Sequence, residues 1–392
     1  MLAWAGPHDG PPGVSLNRSG LLIYFVVVAA GAALAYQLAA LFAAARHIAR
    51  RDPAPGYTPP VSILKPVRGL DPHFREALRS HAELDYPTFE ILFGVADPGD
   101  PAAHEIRRLI AEHPGAPMRL IVCRREAPNR KVAVLEALAA EATHPVLLVN
   151  DADIHVPRDY LRRVIAPLTD PNVGLVTCLY HALAETWPAR LEALGIATDF
   201  APSVLVAPLA GVREFGLGST LAFRAEHLRA IGGYAAIAAF LADDYQLARR
   251  ISRLGLRVHL SKTVVATTLA EGSWRGVWKH QVRWHRTIRV SKGAAYWGIA
   301  VTQASFWALA AAAAGWWSVA FAILAARFAA GLLTGIGVLR CPATARLFWL
   351  MPLRDFGGFA VWLAGLVGRT VDWRGRKLRL SRDGRILASG AS

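Results

Sequence analysis

The chain has 392 residues, with 44 Lys and Arg against 29 Asp and Glu for a net charge of +15, 54% hydrophobic residues and 19% charged ones. A soluble domain carries roughly 25% charged residues, so this composition, with a mean hydropathy of +0.30, points to a membrane protein and excludes disorder and collagen-like repeats. Cys123, Cys178 and Cys341 include no C-x-x-C pair, which excludes a disulfide framework and a cysteine zinc site.

Gly20 to Ala45 holds no charged residue. As a helix this run would extend about 39 Å, enough to cross a hydrocarbon core of about 30 Å with some tilt. A cleavable signal peptide would have a shorter apolar region, of about 7–15 residues, behind a basic leader. Here Arg18 stands before the run and Arg46, Arg50 and Arg51 stand after it. The sequence therefore predicts an uncleaved anchor at 20–45 behind a short extracytoplasmic leader at 1–19. By the positive-inside rule the chain after Arg46 is cytoplasmic.

Residues 46–273 read as a water-soluble domain. Strand-length apolar runs occur at Val61–Leu64, Phe89–Val95, Met118–Cys123, Pro145–Val149 and Val173–Cys178. Helical stretches fall between them at Pro72–Leu84, Ala102–Glu112, Lys131–Glu141 and Pro157–Leu168. This alternation implies an α/β domain with a mostly parallel sheet and helices on its faces, binding ligands at the carboxyl ends of the strands. The sequence has neither a G-x-G-x-x-G fingerprint nor a Walker loop, which argues against dinucleotide binding and P-loop phosphoryl transfer.

Aspartates gather where those strands end: Asp97 and Asp100 after Val95, Asp151 and Asp153 after Val149, and Asp243-Asp244 at the start of a helical stretch over Tyr245–Leu254. An Asp-x-Asp at a strand end can turn two carboxylates toward one hard cation such as Mg²⁺ or Mn²⁺. Each aspartate can equally cap a helix or close a turn.

Trp274–Lys292 is helical and basic, with Trp274, Trp278, Lys279, His280, Arg283, Arg286 and Arg289, as suits a helix lying on anionic lipid at 274–292. His280 and His285 lack other ligand-type neighbours at metal-binding spacing. The segment 293–368 predicts spans at 298–315 and 317–339, turning at Gly315-Trp316-Trp317. A third apolar helix follows, and Arg354 and Asp355 within it suggest a re-entrant or interfacial element. The tail, 369–392, is basic through Arg374, Arg376, Lys377, Arg379, Arg382 and Arg385 and is expected to be cytoplasmic, so an even number of crossings precedes it.

The order of these motifs (Asp97/Asp100, Asp151-x-Asp153, Asp243-Asp244, then Gln281-Val282-Arg283-Trp284) resembles that of inverting nucleotide-sugar transferases of glycosyltransferase families 2 and 21, the latter including ceramide glucosyltransferases. Val61-Ser62-Ile63-Leu64-Lys65-Pro66, Leu84-Asp85-Tyr86-Pro87, Asn129-Arg130-Lys131, Val173-Gly174-Leu175-Val176 and Trp373-Arg374-Gly375-Arg376 extend the resemblance over most of 59–380, nearest to bacterial hopanoid N-acetylglucosaminyltransferases.

The resemblance implies a GT-A domain between N- and C-terminal membrane helices. It implies a divalent metal, Mg²⁺ or Mn²⁺, held by Asp153 with Asp151, and nucleotide contacts from Asp97 and Asp100. Lys131 would meet phosphate or uracil, or stand solvated at a helix start. Asp244 would be the catalytic base. Asp243 fills the place usually held by Glu, a shorter arm that leaves its supporting role open. Gln281, Arg283 and Trp284 would line the diphosphate and the acceptor. Gly216-Leu217-Gly218-Ser219-Thr220 resembles an acceptor-side segment, or is simply a glycine-rich turn, while Phe200–Val206 departs from the animal ceramide enzymes.

The implied reaction is inverting transfer of one sugar from a UDP-sugar to a lipid hydroxyl, foremost N-acetylglucosamine to a hopanoid polyol, with UDP-glucose and ceramide as the alternative. A processive polysaccharide synthase carries similar motifs but needs more helix for a pore. A non-catalytic basic membrane-binding protein would fit the charge. The sequence has no nucleic-acid motif, and it leaves the oligomeric state open.

Overall fold

A computed structural model of the chain describes residues 18–373 and 375–387; the leader through Asn17, Arg374 of the tail pattern and residues 388–392 lie outside them. The first element is a long helix, α1 (Arg18–Ala49). Leu22, Tyr24, Phe25 and Val28 on it are more than half exposed. A bare apolar surface of this size is unfavourable in water and suits lipid.

The central domain runs β1 (Val61–Pro66), α2 (Phe74–Ala82), β2 (Phe89–Val95), α3 (Pro101–Glu112), β3 (Met118–Val122), α4 (Arg130–Glu141), β4 (Val146–Val149), β5 (Ile154–His155), α5 (Tyr160–Ile165) and β6 (Val173–Leu183). It continues with α6 (Trp187–Gly195), α7 (Ala201–Val206), β7 (Leu221–Arg224), α8 (Ala225–Ala230), α9 (Asp243–Ser252) and β8 (Arg257–Thr268). The eight strands form one sheet in the order β3-β2-β1-β4-β7-β6-β8-β5. β3, β2, β1 and β4 are parallel, as are β6 and β8, while β7 runs antiparallel to both β4 and β6.

Successive strand residues face opposite sides of a sheet. Ile63 and Leu148 therefore enter one apolar core with Phe93 and Ile106, whereas Leu64 and Leu147 enter the other with Leu92, Leu138 and Phe223. With helices covering both faces, the strands are mostly apolar on both sides rather than alternating, and the polar side chains they bury, among them Ser62 and Lys65 of β1 and Glu90 of β2, are hydrogen-bonded.

Beyond the sheet come α10 (Trp274–Lys292), α11 (Ile299–Thr302), α12 (Ala304–Ala313), α13 (Trp317–Leu332), α14 (Pro342–Leu347) and α15 (Met351–Gly365). The span expected over 298–315 is not one helix. A 3-10 stretch, Gly293–Gly298, leads into α11, and the helix breaks at Gln303 before α12. The break is polar in origin, because buried Gln303 turns its amide to Asp199 and to the Thr302 hydroxyl. Gly315, at φ +84°, makes the expected turn, and α13 continues as a π-helix through Val338. Among the described residues two helices, Leu21–Ala49 and Trp317–Val338, are long and apolar enough to cross a membrane.

The basic tail is folded. β9 (Thr370–Trp373), β10 (Arg376–Leu380) and β11 (Ile386–Leu387) form an antiparallel sheet. It packs Val371, Leu378, Leu380 and Ile386 on Leu241 and Val290. Backbone bonds from Leu241 N to Gly384 O and from Ile386 N to Ala239 O fasten it to the loop that leads into α9.

Candidate active site

The site lies where β1 and β4 end and α4 and α9 begin. Asn150, directly after β4, is buried and donates to Tyr160 Oη and to Ser219 O at 2.9 and 2.6 Å. That anchorage presents Asp151 and Asp153 from the sheet edge. Asp151 N donates to Gly218 O at 3.2 Å, and Gly218 N donates to Asp244 Oδ2, also at 3.2 Å. The glycine-rich turn thus ties the Asp-x-Asp to the aspartate pair that opens α9. A Cβ on Gly218 would lie 2.7 Å from Asp151 Oδ2, so glycine is what allows the approach.

Lys131, in the first turn of α4, links the same groups. Asn129 caps α4 by accepting from the Lys131 and Val132 amides, and its own amide donates to Phe240 O at 2.8 Å. Lys131 Nζ then sits 2.8 Å from Asp151 Oδ1 and 3.1 Å from Asp243 Oδ2. Burial disfavours its charge, but Asp151, Asp243 and Asp244 outweigh it and hold the ammonium well above its usual range. Lys131 is therefore a buried ion-pair partner rather than a solvated helix-start lysine.

Burial and the neighbouring Asp243 charge push Asp244 up to about 6, with Lys131 opposing. Burial and Asp151 push Asp153 up to about 6 as well, opposed by the Thr267 hydroxyl, which donates to its Oδ2 at 2.5 Å. Two carboxylates raised in this way lack enough positive charge around them. The donor set fits Mg²⁺ or Mn²⁺, which bind through one or two carboxylates and complete their shell with water and substrate phosphate. Among the described residues no cluster of three or more His, Cys, Asp or Glu forms a closed metal cage.

Asp97 and Asp100 stand apart from this cluster. They follow β2, two strands from β4, or about 10 Å along the same edge at roughly 4.8 Å per strand. Asp97 Oδ1 accepts from Gly99 N, and Asp100 caps α3 through Ala102 N while also accepting from Gly69 N. Both close local turns.

On α10, positions 280, 283 and 284 share one face by helical spacing. Gln281 lies about 100° round from His280. Trp284 packs against His280 and Phe200 at ring separations of 4.8 and 6.1 Å, and Phe200 reaches Tyr180 at 5.6 Å. Burial holds the proton on the Tyr180 hydroxyl, and the field of Asp244, Glu192, Asp151 and Asp153 adds to it. This aromatic wall borders the carboxylates on the side of the apolar helices.

Some of the site escapes motif reading. Lys65 Nζ donates to Asp151 O at 3.1 Å from beneath, and burial pushes it down to about 7. The one signal for it is a lysine inside the apolar run Val61–Leu64 and Pro66. Tyr180, Thr267 and Glu192 carry no local signal, because strand and helix crossings bring them in from distant sequence.

The full sequence matches the profile described as Glycosyl transferase family 21 over residues 24–386. The chain belongs to glycosyltransferase family 21. Family 21 relatives include ceramide glucosyltransferase 1 of Caenorhabditis elegans, 26% identical over 218 residues, which are 55% of this chain and 46% of that protein. Ceramide glucosyltransferase of Candida albicans is 28% identical over 121 residues, 28% of this chain and 22% of that one. The matched segments thus span less than half of these curated relatives. Among solved structures, the mannosyltransferase PcManGT from Pyrobaculum calidifontis, determined with GDP-Man and Mn²⁺, superposes at a TM-score of 0.55 with 22% identity over 88% of this chain and 97% of that one. The likeness gives the fold, that of a GT-A glycosyltransferase.

Proposed function

We propose that this chain transfers a single sugar from a UDP-sugar to a hydroxyl of a membrane lipid, with inversion at the anomeric carbon. The observation that carries the reading is the linked cluster of Asp151, Asp153, Lys131, Asp243 and Asp244, with Tyr180 of the aromatic wall in its field. The exposed apolar helices of the same chain suit an acceptor drawn from the bilayer.

Asp153 and Asp151 would hold Mg²⁺ or Mn²⁺, which supplies Lewis-acid stabilisation of the departing diphosphate. Arg283 adds a permanent cation on that side, while Asp97 and Asp100 face the uridine and Lys131 orients the two aspartate pairs. Asp244 accepts the acceptor's hydroxyl proton. The freed oxygen bonds to the anomeric carbon as the carbon–phosphate oxygen bond breaks, and that electron pair leaves on UDP. Asp243 keeps Lys131 in place, and Trp284 offers a face to the sugar or the acceptor.

The acceptor favoured by the sequence resemblance is a hopanoid polyol receiving N-acetylglucosamine at the cytoplasmic face of a bacterial inner membrane. The curated relatives favour a second reading, glucose to ceramide. Membranes carrying the protein, supplied with UDP-N-acetylglucosamine or UDP-glucose and either lipid, should give one glycolipid by mass spectrometry. Polymer, or no product from either pair, would defeat the reading. Asp244→Asn should lower turnover by about 10³-fold or more while UDP-sugar still binds, and undiminished turnover would remove Asp244 as base.

A further inference from the structure

Glu192, on α6, is only 2% exposed and lies against the aromatic wall rather than among the aspartates. Its Oε1 accepts from His280 Nδ1 at 2.7 Å, whereas its buried Oε2 has no hydrogen-bond partner among the described residues. A buried carboxylate oxygen left bare is costly, and a fold keeps one only where something else is gained. The gain here is control of the imidazole. The bond between Nδ1 and Glu192 fixes the ring's orientation and leaves Nε2 without a hydrogen-bond partner among the described residues. The ring is further fixed by Trp284 at 4.8 Å, and the imidazole remains partly exposed.

An alcohol hydroxyl both donates and accepts, so it pairs with Nε2 whether or not that nitrogen carries a proton. His280 stands beside Trp284, Phe200 and Tyr180, with the Tyr180 hydroxyl in the field of Glu192 and Asp244 together. The aromatic wall thus adds a hydrogen-bonding nitrogen, His280 Nε2, to the carboxylate of Asp244.

We propose that His280 Nε2 hydrogen-bonds a second hydroxyl of the acceptor lipid, next to the one that is glycosylated, and that Glu192 is its positioning residue. The inference rests on the lipid-glycosylating reading and narrows the acceptor class to head groups with a second hydroxyl neighbouring the reacting one. A polyol lipid should be preferred over a mono-alcohol with the same hydrocarbon skeleton, because the mono-alcohol leaves Nε2 unpaired.

The experiment measures kcat/KM of the full-length protein in lipid nanodiscs for such a polyol and mono-alcohol pair. The native chain should prefer the polyol by roughly tenfold or more. His280→Ala should abolish that preference, chiefly by raising the KM for the polyol, with the KM for the UDP-sugar unchanged. His280→Gln, which keeps an acceptor oxygen at similar reach, should restore most of it, and Glu192→Gln should weaken it. A melting curve for each variant separates misfolding from loss of the hydroxyl contact, and the His280 pair carries the test if Glu192→Gln unfolds. Equal losses on both lipids, or a preference untouched in His280→Ala, would overturn the proposal. No transfer by the native chain to either lipid would defeat the lipid-glycosylating reading itself, a different outcome from transfer without discrimination.

Discussion

Asp244 sits where two demands conflict. A general base is most useful with a pKa near the working pH, but a buried carboxylate beside Asp243 resists ionising, which is why it rises to about 6. The protonated form predominates below that value, so kcat/KM should fall as pH drops through about 6. Asp153 titrates in the same range and must be ionised to hold a cation, so the profile should be taken at saturating Mg²⁺ or Mn²⁺. Asp243→Asn removes the neighbouring charge that raises Asp244, so the acidic limb should move to lower pH even as the maximum rate declines. A limb that stays in place or moves upward would show that another group controls it. The sequence displays both aspartate pairs, since strand ends and helix starts are local features. It does not display Lys131 bridging them or Lys65 beneath them, because both arrangements depend on which strands become neighbours.

The turn Gly216–Thr220 is the element on which the site depends most. It precedes β7, the strand that reverses direction between β4 and β6, and so brings a segment from late in the chain against the end of β4. Its backbone is hydrogen-bonded to both Asp151 and Asp244. Gly218→Ala would press a methyl group toward Asp151 Oδ2, an atom with little room to yield since Oδ1 is paired with Lys131. A displacement near 1 Å at reacting groups costs about 10²-fold in rate. Gly218→Ala should therefore fold and lose turnover on that order, with far-UV circular dichroism unchanged; near-native turnover would show that the turn does not set the carboxylates. The parallel half of the sheet is readable from the sequence almost residue for residue, because apolar runs and helix signals alternate there. β5 and β7 are not, since short antiparallel strands paired with remote partners leave weak periodicity, and the long β8 is not because Arg257, His259, Ser261 and Lys262 interrupt its apolar run. The tail sheet is hidden for a similar reason: its basic residues mask the alternating Val371, Leu378 and Leu380 that bury against Leu241.

At the scale of the molecule, an ion pair inside the apolar helices joins them to the site. Arg327 on α13 is 2% exposed and Asp355 on α15 is completely buried. Arg327 Nη2 lies 2.7 Å from Asp355 Oδ1 and its Nε 3.0 Å from Oδ2, while Ser305 on α12 donates to Oδ2 through both its amide and its hydroxyl. Arg327 also donates to the Thr198 carbonyl, two residues before Phe200 on the aromatic wall. Asp355, the acidic residue of the third apolar segment, is thus paired within the protein. Removing one partner strands the other, at about 3–5 kcal/mol, whereas replacing both with apolar side chains of similar volume is often neutral or stabilising. Arg327→Met alone should therefore lower the melting temperature in detergent sharply, and Arg327→Met with Asp355→Leu should recover most of it. If the pair serves only stability, the double variant should also recover transfer. If it holds the segment under Phe200 as well, the double variant should melt like the native protein yet keep a raised KM for the lipid, because the Thr198 bond is still missing. Comparing melting with acceptor KM in these two proteins separates the roles, and a double variant as unstable as the single one would show that the pair is not the link between these helices.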